Sequence, residues 1–304
     1  EMTSSLVGSE MCIRDRYVYS ENAAESYSME ATITENGANI SITSGISNVY
    51  DMMIIDNGSM KSASQYLVYY DSSYGERLDD TWHATGGRVL DQEYYVTQLL
   101  LQLENRGVDA TKVDARELKD AMTSEKKETQ AVVIVSGALP DTVYTGNTTD
   151  IIIKWLNNGG RLYWAGNVLG KYISTPENGV VEAPEDSISL FFNTDCQNKN
   201  ETYGTIPSNN EYRRMLCLNE NGTKYGLDHS VIKDSLAIGY TDGKYSSICL
   251  TKYGNGMICV FGGILSNEQR ADIAQVIASG LTYCSKVVAF AVSYTHLRAH
   301  ETRR

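Results

Sequence analysis

Eight residues stand where an α/β protein could bind a ligand, at the ends of predicted strands or in nearby loops. They are Asp71, Ser72, Trp82, His83, Ser136, Gly166, Asn167 and His229. Carboxylate, hydroxyl and amide groups could hydrogen-bond a polar ligand, and a glycine allows close backbone approach. The histidines could serve as bases, and the indole could stack on a sugar or peptide. We expect ligand binding from this set and assign none of it a catalytic role.

Each of these residues also has a simpler interpretation. Asp, Ser, Asn and Gly are the residues that build turns and helix caps, through local hydrogen bonds or a positive φ. A tryptophan in a loop commonly pins that loop to the body of the protein. His229 follows Asp228, and such a pair is commonly an ordinary surface pair. Both interpretations stay open at the level of the sequence.

Alternating strands and amphipathic helices would position these residues. The predicted strands are Tyr66–Asp71, Ala110–Asp114, Ala131–Ser136, Arg161–Ala165 and an antiparallel pair, Ser246–Thr251 and Met257–Phe261; the predicted helices are Gln92–Arg106, Glu117–Met122, Thr149–Asn157 and one that Ser266 caps and that runs through Ser279. The apolar, β-branched run at Ala131–Ser136 is typical of a central parallel strand. We therefore expect an α/β fold, a flavodoxin-like three-layer parallel sheet, with ligands bound at the carboxyl ends of its strands.

The residues before this domain have a different pattern. Met29–Glu35 and Ala38–Ser44 alternate around an Asn36-Gly37 turn, and Val49–Asp56 is a third strand candidate. We predict a truncated β-rich segment over residues 17–65 and the α/β domain over residues 66–291. Residues 171–240 are polar and irregular, and we interpret them as an insertion in that domain.

The two ends of the chain encode each other. One legal back-translation of Leu6–Asp15 has a reverse complement that translates as VSYTHLRAHE, which is Val292–Glu301. A library adapter ligated at both ends of a DNA fragment produces this relation automatically. We therefore predict that residues 1–16 and 292–304 are translated sequencing adapter, and we set them aside when predicting the fold. The natural chain is then a fragment, which leaves open a membrane anchor beyond it.

Composition excludes some classes of partner. The formal net charge is −12, so nucleic acid and an anionic membrane surface are not expected. The cysteines are widely spaced with no CxxC pair, so we predict no metal site and no cofactor. The chain is rich in Tyr, Asn, Ser, Thr and Gly, in the style of bacterial surface proteins. We expect an extracytoplasmic or cell-surface location, with an unknown small molecule, glycan or protein as partner.

Four segments carry a resemblance to a known family. They are LLLQLENRG, AVVIVSGALP, IIIKWLNNGGRLYWAGN and KYGNGMICVFGG with the helix after it. Together they resemble the class I glutamine amidotransferase-like superfamily over roughly residues 66–285. The resemblance implies the fold and, in active members, a cysteine in a G-x-C-x-G elbow with a histidine base. Here the corresponding turn, residues 164–170, reads WAGNVLG and has no cysteine.

Three functions remain open from the sequence. The first is a non-catalytic amidotransferase-like module of a larger bacterial surface or envelope protein, which binds a ligand or partner. The second is an accessory domain of a glycoside hydrolase, or a hydrolase whose own site uses Asp71, His83 or His229. The third and weakest is a flavin-type binder, since Ser72-Ser73 is a poor phosphate-binding turn. The missing nucleophile favours a protein that is not an enzyme.

Overall fold

The structure is a computed structural model, which describes part of the chain. The described residues are 12–19, 26–34, 37–41, 51–56, 60, 62–78, 91–124, 130–165, 167–192, 198–200, 206–207, 210–218, 225–242, 244–263 and 266–291. The chain divides into two compact units. The first contains residues 1–60, 211–217 and 284–304, and the second contains residues 61–210 and 218–283.

The elements are numbered in chain order. The strands are β1 (Cys12–Tyr19), β2 (Ser26–Thr34), β3 (Gly37–Ser41), β4 (Asp51–Asp56), β5 (Gln65–Tyr69), β6 (Ala110–Val113), β7 (Gln130–Ile134), β8 (Leu139–Pro140), β9 (Arg161–Ala165), β10 (Tyr172–Thr175), β11 (Gly179–Glu182), β12 (Asn198–Asn200), β13 (Ile206–Pro207), β14 (Tyr225–Asp228), β15 (Ser235–Ala237), β16 (Tyr240–Asp242), β17 (Tyr245–Ser246), β18 (Ile248–Tyr253), β19 (Gly256–Phe261) and β20 (Lys286–Ala291). The helices are α1 (Gln92–Glu104), α2 (Ala115–Thr123), α3 (Ile151–Asn157), α4 (Ser189–Phe192), α5 (Asn210–Leu216) and α6 (Asn267–Ser279), with a 3-10 helix at Glu185–Ile188.

The first unit is built from antiparallel strands. β1, β2 and β3 form one sheet, in which Thr34 pairs with Gly37 across the hairpin that the sequence predicts. β4 pairs with β20, a strand that the sequence analysis did not predict. In the same unit the Tyr212 hydroxyl of α5 donates to the Ser285 carbonyl, which links the helix to the segment before β20.

The second unit is an α/β structure around a seven-stranded, mostly parallel sheet. The strand order is β15-β18-β19-β9-β7-β5-β6, in which β19, β9, β7, β5 and β6 run parallel. β18 and β15 extend the sheet in antiparallel fashion, so the predicted hairpin of β18 and β19 is confirmed. The expected parallel sheet is therefore confirmed at the level of an α/β fold.

Helices cover both faces of this sheet. α2 and α3 contact each other and share one apolar cluster with Leu67, Leu162 and Trp164. α1 and α6 contact each other, and their buried residues lie outside that cluster, which places them on the other face. Every residue of β7 and β9 is buried, as a strand covered on both sides requires.

Side-chain caps fix where the helices begin. The Asp91 carboxylate accepts from the Tyr94 N–H at the start of α1, and Asp114 and Ser266 form capping boxes with Glu117 and Gln269. The predictions for Asp91 and Ser266 are confirmed. α1 ends at Glu104, slightly before the predicted Arg106, and Gly107 follows with a φ of 74°.

Residues 171–240 contain more regular structure than the irregular insertion that the sequence analysis expects. β10 pairs with β11 and β8, and a five-stranded sheet has the order β12-β14-β17-β16-β13. These strands are two to four residues long, too short for alternation to reveal them.

The cap of α6 gives a test of this local structure. Ser266→Ala removes the hydroxyl that accepts from the Gln269 N–H, so we expect the free energy of unfolding to fall by about 1 kcal/mol. Urea denaturation measures the change, with Ser62→Ala at an exposed serine outside any helix as the control. Equal stabilities of the two variants would show that the cap contributes nothing.

Candidate functional site

The parallel strands bring three predicted site residues to one edge of the sheet. Asp71 follows β5, Ser136 follows β7 and Asn167 follows β9, and these strands are neighbours. Ser72 lies beside Asp71 and is exposed. The structure thus confirms that the carboxyl ends meet there, and the contacts of each side chain decide what it can do.

Asp71 is held by the backbone around it. One carboxylate oxygen accepts from the Ser73 N–H at 2.9 Å and the Ser73 hydroxyl at 2.6 Å, and the other accepts from the Ala115 N–H at 3.1 Å. Burial alone would raise the pKa of Asp71, but these three donors hold it below its usual value. Asp71 therefore stabilises its own turn and the start of α2, which agrees with the simpler interpretation of Asp71 as a turn or cap residue.

Residues 71–78, which we call the edge loop, lie across the ends of β7 and β9. The Arg77 N–H donates to the Ser136 carbonyl at 2.8 Å, and the Asn167 amide nitrogen donates to the Arg77 carbonyl at 2.8 Å. The Ser136 hydroxyl donates to the Ala138 carbonyl. Gly137 has a φ of 72°, and a Cβ there would collide with the Arg77 carbonyl. Side chains at this edge thus satisfy backbone groups of the edge loop and its neighbours.

Three buried polar atoms near this edge have no hydrogen-bond partner among the described residues. They are the Asn167 side-chain oxygen, the Tyr69 hydroxyl and the Ser174 hydroxyl. Ser174 is close enough to Tyr69 to lower its pKa, but the two hydroxyls do not meet in hydrogen-bond geometry. Burial has the larger effect and raises the pKa of Tyr69 well above its usual value, so this phenol stays neutral. Each such atom lowers the free energy of unfolding by about 1–3 kcal/mol unless water or a ligand binds it.

Two further side chains lie beside Tyr69. The Tyr74 hydroxyl donates to the Asp141 carboxylate at 3.2 Å, and burial, reinforced by Asp141, raises the pKa of Tyr74 to about 12. The negative charges of Asp71 and Asp141 both raise the pKa of Tyr69. The sequence analysis missed Tyr69 and Ser174, because a tyrosine in an apolar strand and a serine in a short strand look like ordinary sheet residues.

His229 does not join this group. The backbone N–H of His229 donates to the Lys244 carbonyl, and its backbone carbonyl accepts from the Ser235 hydroxyl in β15. β15 and β5 are five strand spacings apart, about 24 Å at about 4.8 Å each, so the strand that His229 contacts is far from the strand that Asp71 follows. Burial lowers the pKa of His229, against the opposing effect of Asp228.

The Asp228 carboxylate binds Lys244 and Ser230. Lys244 lies 2.6 Å from one of its carboxylate oxygens, and the N–H and hydroxyl of Ser230 donate to the other. Lys244 and Ser230 thus hold the Asp228 carboxylate in place. Trp82, His83 and Gly166 lie outside the described residues.

The described residues of this edge include no cysteine. The turn after β9 is fixed by the Trp164 indole N–H, which donates to the Asn167 carbonyl at 2.6 Å. Cys249 and Cys259, in the same unit, lie inside β18 and β19, and burial raises the pKa of Cys259 well above its usual value. No group of three or more potential metal ligands occurs among the residues that the structure describes.

Comparisons with known proteins give distant structural likenesses. No family model and no curated protein matches the chain. It is similar to the β-galactosidase from Rahnella sp. R3 at 11% identity and a TM-score of 0.40, over 71% of this chain and 31% of that one. It is similar to a cytoplasmic protein from Salmonella typhimurium at 14% identity and a TM-score of 0.42, over 69% of this chain and 98% of that one.

A third likeness is to the GH42 β-galactosidase of G. stearothermophilus, at 13% identity and a TM-score of 0.40. It covers 72% of this chain and 30% of the enzyme, so the chain spans under a third of the length of both galactosidases. At these scores the likenesses carry no argument about activity. Within the described part of the chain, no helix is long and apolar enough to cross a bilayer.

Two glycines test the close approach of the edge loop. Gly137→Ala and Gly107→Ala both place a side chain at a φ near +70°, but only at Gly137 would the Cβ meet backbone atoms. We expect Gly107→Ala to lower the free energy of unfolding by about 1 kcal/mol and Gly137→Ala by about 1–3 kcal/mol more. Urea denaturation measures both, and equal losses would contradict the contact between Gly137 and Arg77.

The low pKa of Asp71 predicts a pH dependence of stability. A depressed carboxyl pKa stabilises the fold above the pKa of the unfolded chain, and this contribution disappears as the pH falls through the folded-state pKa. Asp71→Asn is therefore expected to be less stable than the wild type at pH 7, by a difference that shrinks in the acid range below about pH 4. Thermal unfolding between pH 2 and pH 7 measures it, and Asp109→Asn, at an exposed site, should show no such convergence.

Proposed function

We propose that this chain is a non-catalytic, amidotransferase-like binding module of a larger bacterial cell-surface or envelope protein. One observation carries the proposal. Among the described residues of the carboxyl edge, Asp71, Ser136 and Asn167 hydrogen-bond to backbone groups, and the buried atoms without partners are neutral. Neutral acceptors and hydroxyls hold a polar ligand, but they do not activate a nucleophile or transfer a proton near pH 7.

The fold supports a flavodoxin-like three-layer arrangement. Counted along the chain, the parallel strands β5, β6, β7, β9 and β19 have the order 2-1-3-4-5, which reverses between β5 and β7. Ligands of such sheets bind at the carboxyl ends on either side of this reversal. Asp71 and Ser136 flank that point, and the edge loop lies over it.

The absent cysteine supports a nucleophile-less member of the superfamily. The turn after β9 would carry the nucleophile of an active amidotransferase, and it has Asn167 with a buried, unpartnered oxygen. An accessory domain of a glycoside hydrolase is a second candidate with the same binding role. It is favoured by the proximity of the Tyr69 and Ser174 hydroxyls to each other and to two carboxylates, a set suited to a hydroxyl-rich ligand.

The proposal also includes a cell-surface location and an adapter origin of the two termini. The complementarity of Leu6–Asp15 with Val292–Glu301 supports an adapter origin for both termini, and the Asn- and Tyr-rich composition supports a surface protein. Long-read sequencing of the source DNA tests both: the reading frame should continue beyond residues 17 and 291 without the adapter codons. Adapter codons found in the genome would refute the assignment.

Turnover assays test the absence of catalysis. We expect the purified chain and its Asp71→Ala variant to release ammonia from glutamine and nitrophenol from p-nitrophenyl glycosides only at the background rate. Turnover by the wild type that is lost in Asp71→Ala would contradict the proposal and support a hydrolase. His229→Ala is the matched control, because His229 contacts β15, which is five strands away from β5 in the sheet.

A glycan array tests the binding role. Ser72→Ala removes an exposed hydroxyl at the carboxyl edge, so we expect it to weaken glycan binding while leaving stability unchanged. Ser62→Ala should bind as the wild type does. Binding of no neutral glycan by the wild type would rule out this ligand class.

A further inference from the structure

Negative charge collects around two tyrosines of the carboxyl edge. Burial has the largest effect on the pKa of Tyr69, and the carboxylates of Asp71 and Asp141 raise it further, so both lie near its hydroxyl. Burial also raises the pKa of Tyr74, and the same two carboxylates and that of Glu177 add to the effect. We call Asp71, Asp141 and Glu177 the acidic cluster.

Two cations of the same region lie over an aromatic ring instead. The Arg77 guanidinium and the Lys171 ammonium are 5.4 and 5.2 Å from the centre of the Tyr172 ring. No described lysine or arginine, these two included, lies within ion-pair distance of the acidic cluster. The described part of the chain therefore leaves the negative charge of this cluster without an ion pair.

The Asp141 carboxylate has acceptor capacity that Asp71 has used. Three donors bind Asp71, and two of them are backbone N–H groups. Among the described contacts, the Asp141 carboxylate accepts one hydrogen bond, from the Tyr74 hydroxyl at 3.2 Å, and Asp141 is half-buried. The Asp141 N–H donates to the Ser174 carbonyl at 3.0 Å, which fixes its backbone beside β10. A carboxylate offers about four acceptor positions, so Asp141 can bind a donor from solution.

Buried hydroxyls near the acidic cluster are a second, independent observation. Tyr69 is 1% exposed and Ser174 is 0% exposed, and neither hydroxyl has a hydrogen-bond partner among the described residues. A hydroxyl oxygen accepts as well as donates. Because a buried polar group without a partner is costly, these hydroxyls point to a bound donor.

Contacts of the edge loop hold Tyr74 in position. Its N–H donates to the Asp71 carbonyl at 3.2 Å. The next residue, Gly75, approaches β11 so closely that a Cβ there would meet the Gly179 backbone and the Val180 side chain. The half-buried members of the site are therefore preformed.

The acceptors and the charge together define the ligand group. A primary ammonium carries one positive charge and three donors, and it is about as small as a water molecule, so it needs no large cavity. A neutral hydroxyl would satisfy the tyrosine and serine but would leave the carboxylates unpaired. A divalent metal is less suited, because no three His, Cys, Asp or Glu side chains converge as ligands among the described residues.

We propose that the carboxyl edge binds the primary ammonium group of a hydroxyl-rich ligand, as found in an amino sugar. The ammonium donates to the Asp141 carboxylate and to the Tyr69 hydroxyl, beside Tyr74. This inference rests on the binding role proposed above and names the chemical class of its ligand.

Two trisaccharides test the proposal on the full chain. Chitosan trisaccharide has an ammonium group on each ring where cellotriose has a hydroxyl. We expect the wild type to bind the chitosan trisaccharide about tenfold more tightly in isothermal titration calorimetry, as a charge-assisted hydrogen bond provides. Asp141→Asn keeps an acceptor for Tyr74 and removes the charge, so we expect it to abolish this preference.

Two further variants sharpen the test. Asp109→Asn removes an exposed carboxylate before β6, at the opposite edge of the sheet, and should keep the preference. Tyr69→Phe removes the buried hydroxyl and should weaken binding of the chitosan trisaccharide about fivefold, with circular dichroism confirming the fold.

Several outcomes would overturn the inference. Equal wild-type affinities for the two trisaccharides, or a preference that persists in Asp141→Asn or an affinity unchanged in Tyr69→Phe, would exclude the ammonium site and leave the binding role standing. Binding of neither trisaccharide would also overturn it. Together with a glycan array that shows no ligand, that result would count against the binding role itself.

Discussion

Complete burial of the middle strands is the constraint from which the rest of the second unit follows. β7, β9 and β19 are buried at every residue, so both faces of the sheet must be covered. The helix pairs supply that cover, α1 with α6 and α2 with α3. Since no polar side chain can act from within such strands, ligand binding is confined to the strand ends and the loops that join them.

The backbone N–H and C=O groups at the two ends of the strands find their hydrogen-bond partners in different ways. Where β7 and β9 end, the chain leaves the sheet in irregular loops whose N–H and C=O groups find few backbone partners. Side chains supply these partners, as Asn167 does for Arg77 and Asp71 does for Ala115. A polar residue at the carboxyl edge can thus be required by the fold alone, and its position is weak support for a function.

Sequence patterns predicted the regular elements well where local chemistry marks them. β9 has the predicted bounds, Arg161–Ala165, because a glycine pair precedes it and an apolar run fills it. The capping box of Ser266 and the left-handed Gly280 define α6. The short strands between β10 and β17 and the pairing of β20 with β4 were missed. They depend on partners distant in sequence, which a local pattern does not encode.

The candidate site was predictable only in position. Topology brought Asp71, Ser136 and Asn167 to one edge as expected, because parallel neighbours end together. What each group does depends on contacts such as that between Asn167 and Arg77, 90 residues apart, which turn a candidate ligand group into a structural one. Tyr69 and Ser174 illustrate the reverse case, since only their burial in the fold shows that their hydroxyls lack partners.

At the amino ends of β9 and β19 the backbone largely satisfies itself. The N–H groups of Gly159 and Gly160 donate to carbonyls of α3, and Met257 donates to Gly160 across the start of the two strands. A Cβ at Gly256 would collide with the Gly160 carbonyl, so the chains approach closely there without side-chain support. Close backbone approach therefore does at the amino ends what side chains do at the carboxyl ends.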